Sequence, residues 1–336
     1  MIIQGAAQRS WRRWVMLTLG TTAQAVASCL LFGLPFLLPY LRRTEGLTLA
    51  QGGALVAAPS LGMVVTLIAW GAFADRYGER LAIAVGLGLT GALGFASAGV
   101  SSLGARALLF ALMGAAGASV NSASGRLVMG WFGAHQHAGS RSPYRRLILW
   151  RVHAASSLLV VPQFALAAFS AEYLVSQRGW DATTAGQLLA VVAGGGAAGR
   201  LAAGRWSDVV GVRLAPMRLI ALAACVSMLL VALTAWKGVW LVVLALAVAS
   251  IVSVADNGLG FTATAELAGR AWSGRALGVQ NTMQNIAAFA TAPLVGALAG
   301  SFGFAWAFAA VAVFPALGAW LTPVQGERRE HAARVD

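Results

Sequence analysis

The sequence predicts an all-α polytopic membrane protein, a two-half helical bundle of about ten transmembrane helices, four in the first half and six in the second. Three observations predict it. Of 336 residues, 59% are hydrophobic and only 10% are charged, too few charges to cover a soluble protein. The apolar residues gather in ten runs, each near the roughly 20 residues that cross the hydrocarbon core of a bilayer. The chain also matches itself when shifted by 133 positions (204 less 71): Gly71, Asp75, Gly78, Arg80 and Leu81 return as Gly204, Asp208, Gly211, Arg213 and Leu214.

The runs lie near 14–41, 49–73, 81–101, 105–130, 147–175, 183–203, 214–236, 239–265, 276–299 and 303–323. Backbone groups in lipid must bond within their own segment, so each run is read as a helix. The first follows Arg9, Arg12 and Arg13 and contains Val26-Ala27-Ser28-Cys29, which looks like a lipoprotein cleavage box. It continues to Leu41, too far for a signal peptide's apolar region, and is read as a span. An even number of spans puts both ends on one side. Arg42, Arg43, Arg106, Arg178 and Lys237 then face one side, and the other 19 of the 24 Lys and Arg residues face the other. The richer side is cytoplasmic by the positive-inside rule. The expected location is a bacterial inner (plasma) membrane, multi-pass, with both termini cytoplasmic and the lipid bilayer as partner.

The net charge of +13 raises nucleic acid as a partner, but the basic residues punctuate the chain between apolar runs. That is the pattern of topology signals, and no nucleic acid is expected. Cys29 and Cys225 sit inside apolar runs, where neither a disulfide nor a metal site is expected. No phosphate loop, zinc-protease motif or serine triad signature occurs, so no cofactor and no enzymatic activity are expected. Gly86-Leu87-Gly88-Leu89-Thr90-Gly91 fits the dinucleotide pattern but lies inside a span with no strand before it. It reads as a helix-packing face.

The repeat extends well past the loop. Arg12-Arg13 falls on Arg145-Arg146, Phe36 on Phe169, Tyr40-Leu41 on Tyr173-Leu174, and Gly46, Gly53, Leu55, Ala57 and Gly62 on Gly179, Gly186, Leu188, Ala190 and Gly195. An ungapped match over this distance points to duplication, and parallel repeats in a membrane protein point to a transporter. The copies join near Gly133 to Arg145, across the polar run from His135 to Pro143. The expected domains are therefore 1–143, with four spans, and 144–336, with six. The second half has 193 residues against a 133-residue first copy. The difference of 60 is enough for two spans at about 20 residues each. The first half lacks counterparts of the last two spans.

The loop Gly71-Ala72-Phe73-Ala74-Asp75-Arg76-Tyr77-Gly78-Glu79-Arg80 resembles the G-x-x-x-D-R-x-G-R-R loop between the second and third helices of the major facilitator superfamily. Gly71, Asp75, Arg76, Gly78 and Arg80 match, while Glu79 stands where a base is usual. The second copy keeps Gly204, Asp208, Gly211 and Arg213 and has Val209 after the acid. Stretches such as Gly125-Arg126-Leu127 and Arg275-Ala276-Leu277-Gly278 look like bacterial members. The resemblance covers nearly the whole chain. It implies a two-half bundle that rocks around a central solute site, usually with twelve helices. This chain is read as lacking the fifth and sixth.

Several residues are candidates for function. A carboxylate at Asp75 is favoured near basic groups and near a helix N-terminus, so the repeated loops are read as inner gates. Arg126, Glu266 and Arg275 are candidate charge partners, and Asp208 and Glu266 are expected to pair with Arg205, Arg213 or Arg275. Glu172 and Asp256 are acids inside apolar runs, which is costly and points to function. Ser253, Asn257, Gly260 and Thr264 form one helical stripe beside Asp256. Gln280/Gln284 and Asn281/Asn285 are four apart. Asn121, Gln163, Asp256, Asn257, Gln280, Asn281 and Gln284 are read as a candidate solute or proton path, with helix-to-helix glue as the rival reading of the amides. His153 lies near the inner end of its span, as a proton carrier or a solvated histidine. The function expected is secondary active transport of a small solute, coupled to protons. The alternative is a truncated, non-transporting membrane protein or remnant.

Overall fold

The computed structural model describes residues 18–20, 22–29, 33–131, 142–145, 147–269, 272–325 and 327, excepting the side chains of Ile68, Asp75, Glu79 and residues 121–131. Every regular element among them is helical. In chain order they are α1 (Leu34–Glu45), α2 (Leu49–Tyr77), α3 (Glu79–Ala98), α4 (Leu103–Trp131), a 3-10 turn (Pro143–Arg145), α5 (Leu147–Arg178), α6 (Ala182–Val210), α7 (Leu214–Trp236), α8 (Val242–Ala255), α9 (Asn257–Ala268), α10 (Ser273–Phe302), α11 (Phe304–Val311) and α12 (Val313–Leu321). Helix therefore occupies each of the ten apolar runs. Nine helical stretches among the described residues are long and apolar enough to cross a membrane, α8 with α9 and α11 with α12 each making one.

α6, over the run 183–203, falls outside those nine on composition and not on length. α6 has 29 residues, about 43 Å at 1.5 Å per residue, so it is long enough to cross. Thr183, Thr184, Gln187, Arg200, Arg205 and Asp208 dilute its apolar character.

The duplication is written in the backbone. α2 and α6 both have 29 residues, and 49 and 77 shifted by 133 give 182 and 210. Both helices follow a left-handed glycine, Gly46 (φ 66°) and Gly179 (φ 68°), and both end at another, Gly78 (φ 89°) and Gly211 (φ 73°). Only glycine adopts this conformation without a Cβ penalty, so the repeated glycines are repeated corners. The caps sit in register too. Thr48 Oγ1 accepts from Gln51 N at 3.2 Å, and Gln51 Oε1 accepts from Thr48 N at 2.9 Å, a capping box. Asp181, 133 positions on, accepts from Thr183 N at 2.9 Å and Thr184 N at 3.1 Å.

Two compact units result, residues 1–34 with 58–135, and 35–57 with 136–336. In the first, α2 and α3 pack on α4 through glycine. A methyl on Gly62 would stand 1.7 Å from Ala111 O, one on Gly114 2.0 Å from Pro59 O, and one on Gly86 1.7 Å from Ser119 Oγ. Gly88 and Gly91 would meet nothing within 4 Å, so Gly86 alone makes the close approach in that run. Thr66 Oγ1 and Trp70 Nε1 both donate to Ala115 O, at 2.8 and 2.7 Å. Lipid tails are as apolar as leucine, so close backbone approach and such bonds hold the helices together.

In the second unit α5 is the central element. Its Phe169 and Tyr173 meet Phe304, with ring centroids 6.4 and 5.4 Å apart. Its Val152, Ala155 and Leu159 pack with Leu214, Met217, Leu259, Ala263 and Ala319. The N-terminal turns of α2 belong here as well. A methyl on Gly53 would stand 2.3 Å from Ala292 O, and one on Gly296 2.4 Å from Leu49 O.

Candidate functional site

The second-copy loop is a closed charge network. The glycine corner at Gly211 ends α6 and brings Arg213 back over its last turn. Arg213 Nη1 donates to Asp208 Oδ1 at 2.5 Å and to Ser207 Oγ at 2.6 Å, and its Nε donates to Glu266 Oε1 on α9 at 3.3 Å. Partial burial of the guanidinium opposes its charge, but the carboxylates outweigh this and raise its pKa. Arg213 thus joins the two acids, Asp208 and Glu266. Arg275 instead stacks over Trp272, 4.9 Å from the ring centre.

Sequence reading missed a further partner. Glu327 accepts from Arg213 N at 2.6 Å and Leu214 N at 2.9 Å, so a carboxylate beyond the last helix caps α7. Negative charge at this end of a helix meets the positive pole of its dipole.

The first-copy loop is described less fully. Asp75 lies two residues before the end of α2, which closes at Tyr77, and its side chain is outside the described residues, as are those of Asn121 and Arg126 on α4. Gly71 lies within α2, Gly78 turns the chain, and Arg80 is exposed in the first turn of α3. Arg76 lies over its neighbour Tyr77 at 5.5 Å from the ring centre. Gly204 lies within α6 and accepts at its carbonyl from Ser207 Oγ at 2.9 Å.

A polar seam runs inside the second unit, along the contact of α5 with α9 and α10. Tyr144 on the 3-10 turn reaches His153 Nε2 at 3.2 Å, and His153 Nδ1 meets Gln280 Oε1 at 3.2 Å. Thr264 Oγ1 donates to the same Gln280 oxygen. Ser156 is one turn along α5 from His153, opposite Gly260 of α9. Further along, Asn257 Nδ2 donates to Gln163 Oε1 at 3.0 Å. Asp256 stands at the break between α8 and α9, buried, with Oδ2 unpartnered. Arg200, the basic group whose charge acts on it, donates to Val254 O at 3.1 Å. Gln284 is buried. Asn281 accepts from Asn285 Nδ2 at both its side-chain and backbone oxygens, at 3.1 and 2.8 Å. Of the candidate amides, Gln163, Asn257 and Gln280 meet partners on other helices, while Asn281 is bonded within α10.

Two features lay beyond sequence reading. Arg42 of α1 pairs with Glu172 of α5, which is buried. Arg42 also donates to Leu47 O at 3.1 Å. Between α5, α10, α11 and α12 lies a cavity of about 700 Å³ lined by Leu158, Val161, Met283, Leu294, Leu298 and Phe314 among others. Its polar lining is turned inward: Thr291 donates to Ala287 O at 2.7 Å and Ser157 to His153 O at 2.8 Å. The space between these helices is apolar and offers a solute little to bond.

A bundle with paired, glycine-cornered charged loops and an internal repeat is the build of a transporter. The sequence profile described as Major Facilitator Superfamily matches residues 20–140 and 154–335. The chain belongs to the Major Facilitator Superfamily. It is similar to two Mycobacterium tuberculosis proteins: the uncharacterized MFS-type transporter Rv2994 of strain ATCC 25618 / H37Rv, 37% identical over 379 residues, and its counterpart MT3072 of strain CDC 1551 / Oshkosh, 36% identical. Each match covers 93% of this chain and 85% of the relative. Since 93% of 336 residues is about 312, about 67 of the 379 aligned positions have no counterpart here. The fold resembles the crystal structures of the nucleoside transporter NupG (TM-score 0.70, 15% identity, covering 92% of this chain and 99% of that one) and of a D-xylose-proton symporter (TM-score 0.66, 15% identity, covering 91% and 98%). The chain is thus a multi-pass membrane protein of a transporter family.

Proposed function

We propose that this protein is a proton-coupled secondary transporter of a small solute in a bacterial inner membrane, with both termini cytoplasmic. It works by alternating access between residues 1–143 and 144–336, with α6 crossing as the tenth span. The observation that carries the reading is the charged loop repeated at a spacing of 133 in a chain of this family. In the second copy, Arg213 holds Asp208 of α6 and Glu266 of α9 together, a clasp within residues 144–336 that keeps the inner gate of that half in shape. Asp75, with Arg76, Arg80, Arg126 and Arg275 as candidate partners, takes the corresponding role in the first. Asn121, Gln163, Asp256, Asn257, Gln280, Asn281 and Gln284 supply the candidate solute and proton path.

Purified protein in proteoliposomes, given an imposed pH gradient and a panel of labelled small solutes, tests the reading. Saturable flux that collapses with the gradient supports it, and no flux for any solute counts against it. Reporter fusions at Ala182 and Ala215 are expected to label outside and inside respectively, and the same side for both ends the topology. Asp75→Asn is expected to raise cysteine accessibility from the inner face without loss of folding.

A second reading, a shortened and non-transporting membrane protein, is favoured by the gap of about 67 positions against the mycobacterial relatives. The family match itself breaks between residues 140 and 154, where the join between copies was read. Inserting a helix pair from a complete relative after Ala138 separates the two. Transport gained only on insertion supports the second reading.

A further inference from the structure

We propose that His153 is a protonation site reached through Tyr144, and that the pocket around it, between Ser156, Gly260 and Gln280, takes up a proton and no larger ligand. The inference rests on the proton-coupled reading above and names the group that carries the charge.

The geometry allows both charge states. Gln280 Oε1 is an acceptor only, so His153 Nδ1, 3.2 Å away, carries a hydrogen. His153 Nε2 faces the Tyr144 hydroxyl at 3.2 Å, a group that donates or accepts as it rotates. Neutral His153 accepts there from Tyr144; the cation donates to it. Neither state leaves a ring nitrogen without a partner, although His153 is fully buried. An unpaired polar group in such surroundings is costly. A histidine bonded in both states escapes that cost. Burial raises the Tyr144 phenol pKa, so it remains an O–H at neutral pH. Tyr144 is half-buried on the turn before α5 and links the interior to the loop side.

The site is too tight for a solute. A methyl on Gly260 would stand 2.7 Å from Ser156 Oγ and 3.3 Å from Gln280 Nε2. Those two buried atoms have no hydrogen-bond partner, yet a carbon placed on Gly260 would lie inside carbon contact distance of both. A proton needs no such room.

The surroundings leave His153 as the titrating group. Tyr144 faces it from the 3-10 turn, with Thr264 of α9 alongside, and Gln280 from α10. Trp150, on its own helix, is edge-on at 6.1 Å. Arg275 is stacked on Trp272, whose ring lies 6.3 Å from that of Tyr144. Arg151 bonds Leu321 O at 3.0 Å on the last helix. Glu266 is held by Arg213.

The test is nitrogen NMR of full-length protein in lipid nanodiscs with labelled histidine. The chain has four histidines, and His153→Gln identifies the signal. The expected result is a His153 ring that titrates between about pH 5 and 8 and shows the Nδ1–H tautomer on the alkaline side. Tyr144→Phe is expected to move that midpoint by about half a pH unit or more and to leave the other histidines unchanged. If His153→Gln does not fold, Thr264→Val gives the assignment, since Thr264 shares the Gln280 oxygen. A His153 fixed in one state across this range, or a midpoint indifferent to Tyr144→Phe, overturns the proposal. Titration without pH-driven flux breaks the transporter reading and leaves this one standing. Flux driven by pH with a His153 that never titrates does the reverse.

Discussion

α2 and α6 are copies of one helix with different company. They share length, register, glycine corners and cap position. They differ in what their apolar faces meet. Gly53 of α2 lies where a methyl would stand 2.3 Å from Ala292 O; Gly186, its copy in α6, would bring a methyl no nearer than 3.9 Å to Phe36 Cδ1. Val191, Leu201 and Val209 of α6 are each at least 75% exposed. Duplication fixes the helix, and packing depends on whether the partner came with it. The reading of 1–143 as four spans accounts for this: α6 then lacks the repeat equivalent of the α10 that receives the first turns of α2.

The sharpest departure from the repeat is Arg42 with Glu172. Position 42 corresponds to Val175, and position 172 to Pro39, so neither member of the pair has a copy. Arg42→Gln is expected to destabilise by about 3–5 kcal/mol, because it leaves a buried carboxylate without its cation. Unfolding in detergent measures it, and restoration by Glu172→Gln in the same chain shows that the pair is responsible.

The glycines come next. Gly53→Ala is expected to cost about 1–3 kcal/mol by overpacking, and Gly186→Ala less than about 0.5 kcal/mol. Equal losses in thermal unfolding break the contrast between the two helices.

Arg213→Gln removes a network whose acids, Asp208 and Glu266, are 66% and 49% exposed. Its expected cost is about 1 kcal/mol or less, and it shrinks as salt is raised. A loss that is insensitive to salt assigns the effect to packing.

The smallest effect separates the caps. Thr48 has no charge to lose, whereas Asp181 does. The backbone N–H of Thr184 is first among the groups that hold the Asp181 carboxyl below its usual range, with that of Thr183 assisting. Its folded pKa is depressed, so its contribution is present above the unfolded value and is lost as pH falls through the folded one. Hydrogen exchange at Thr183 and Thr184 is expected to speed up on acidification relative to that at Gln51. Parallel behaviour of the two ends removes Asp181 as the cause.

The repeat register made the helices readable, because apolar run length and paired glycines are local properties of the sequence. So was the membership of Arg213, Asp208 and Glu266 in one charged group, since corner and acid recur together. Tyr144, Arg42 and Glu327 were not readable as partners. Each acts on a residue distant in sequence or on another element, and no spacing rule ties Glu327 to Leu214 or Arg42 to Glu172. The Gly86 run shows the same limit. Three glycines look alike in sequence, and only helix placement decides that Gly86 touches α4.

The bond from Glu327 to the start of α7 gives the segment after the last helix a mechanical duty. It strings the C-terminal end of the chain to its middle, like a drawstring, with the knot at the loop that holds Arg213. Trimming the protein back to Leu321 is therefore expected to loosen an element more than a hundred residues upstream, read as faster hydrogen exchange at Leu214.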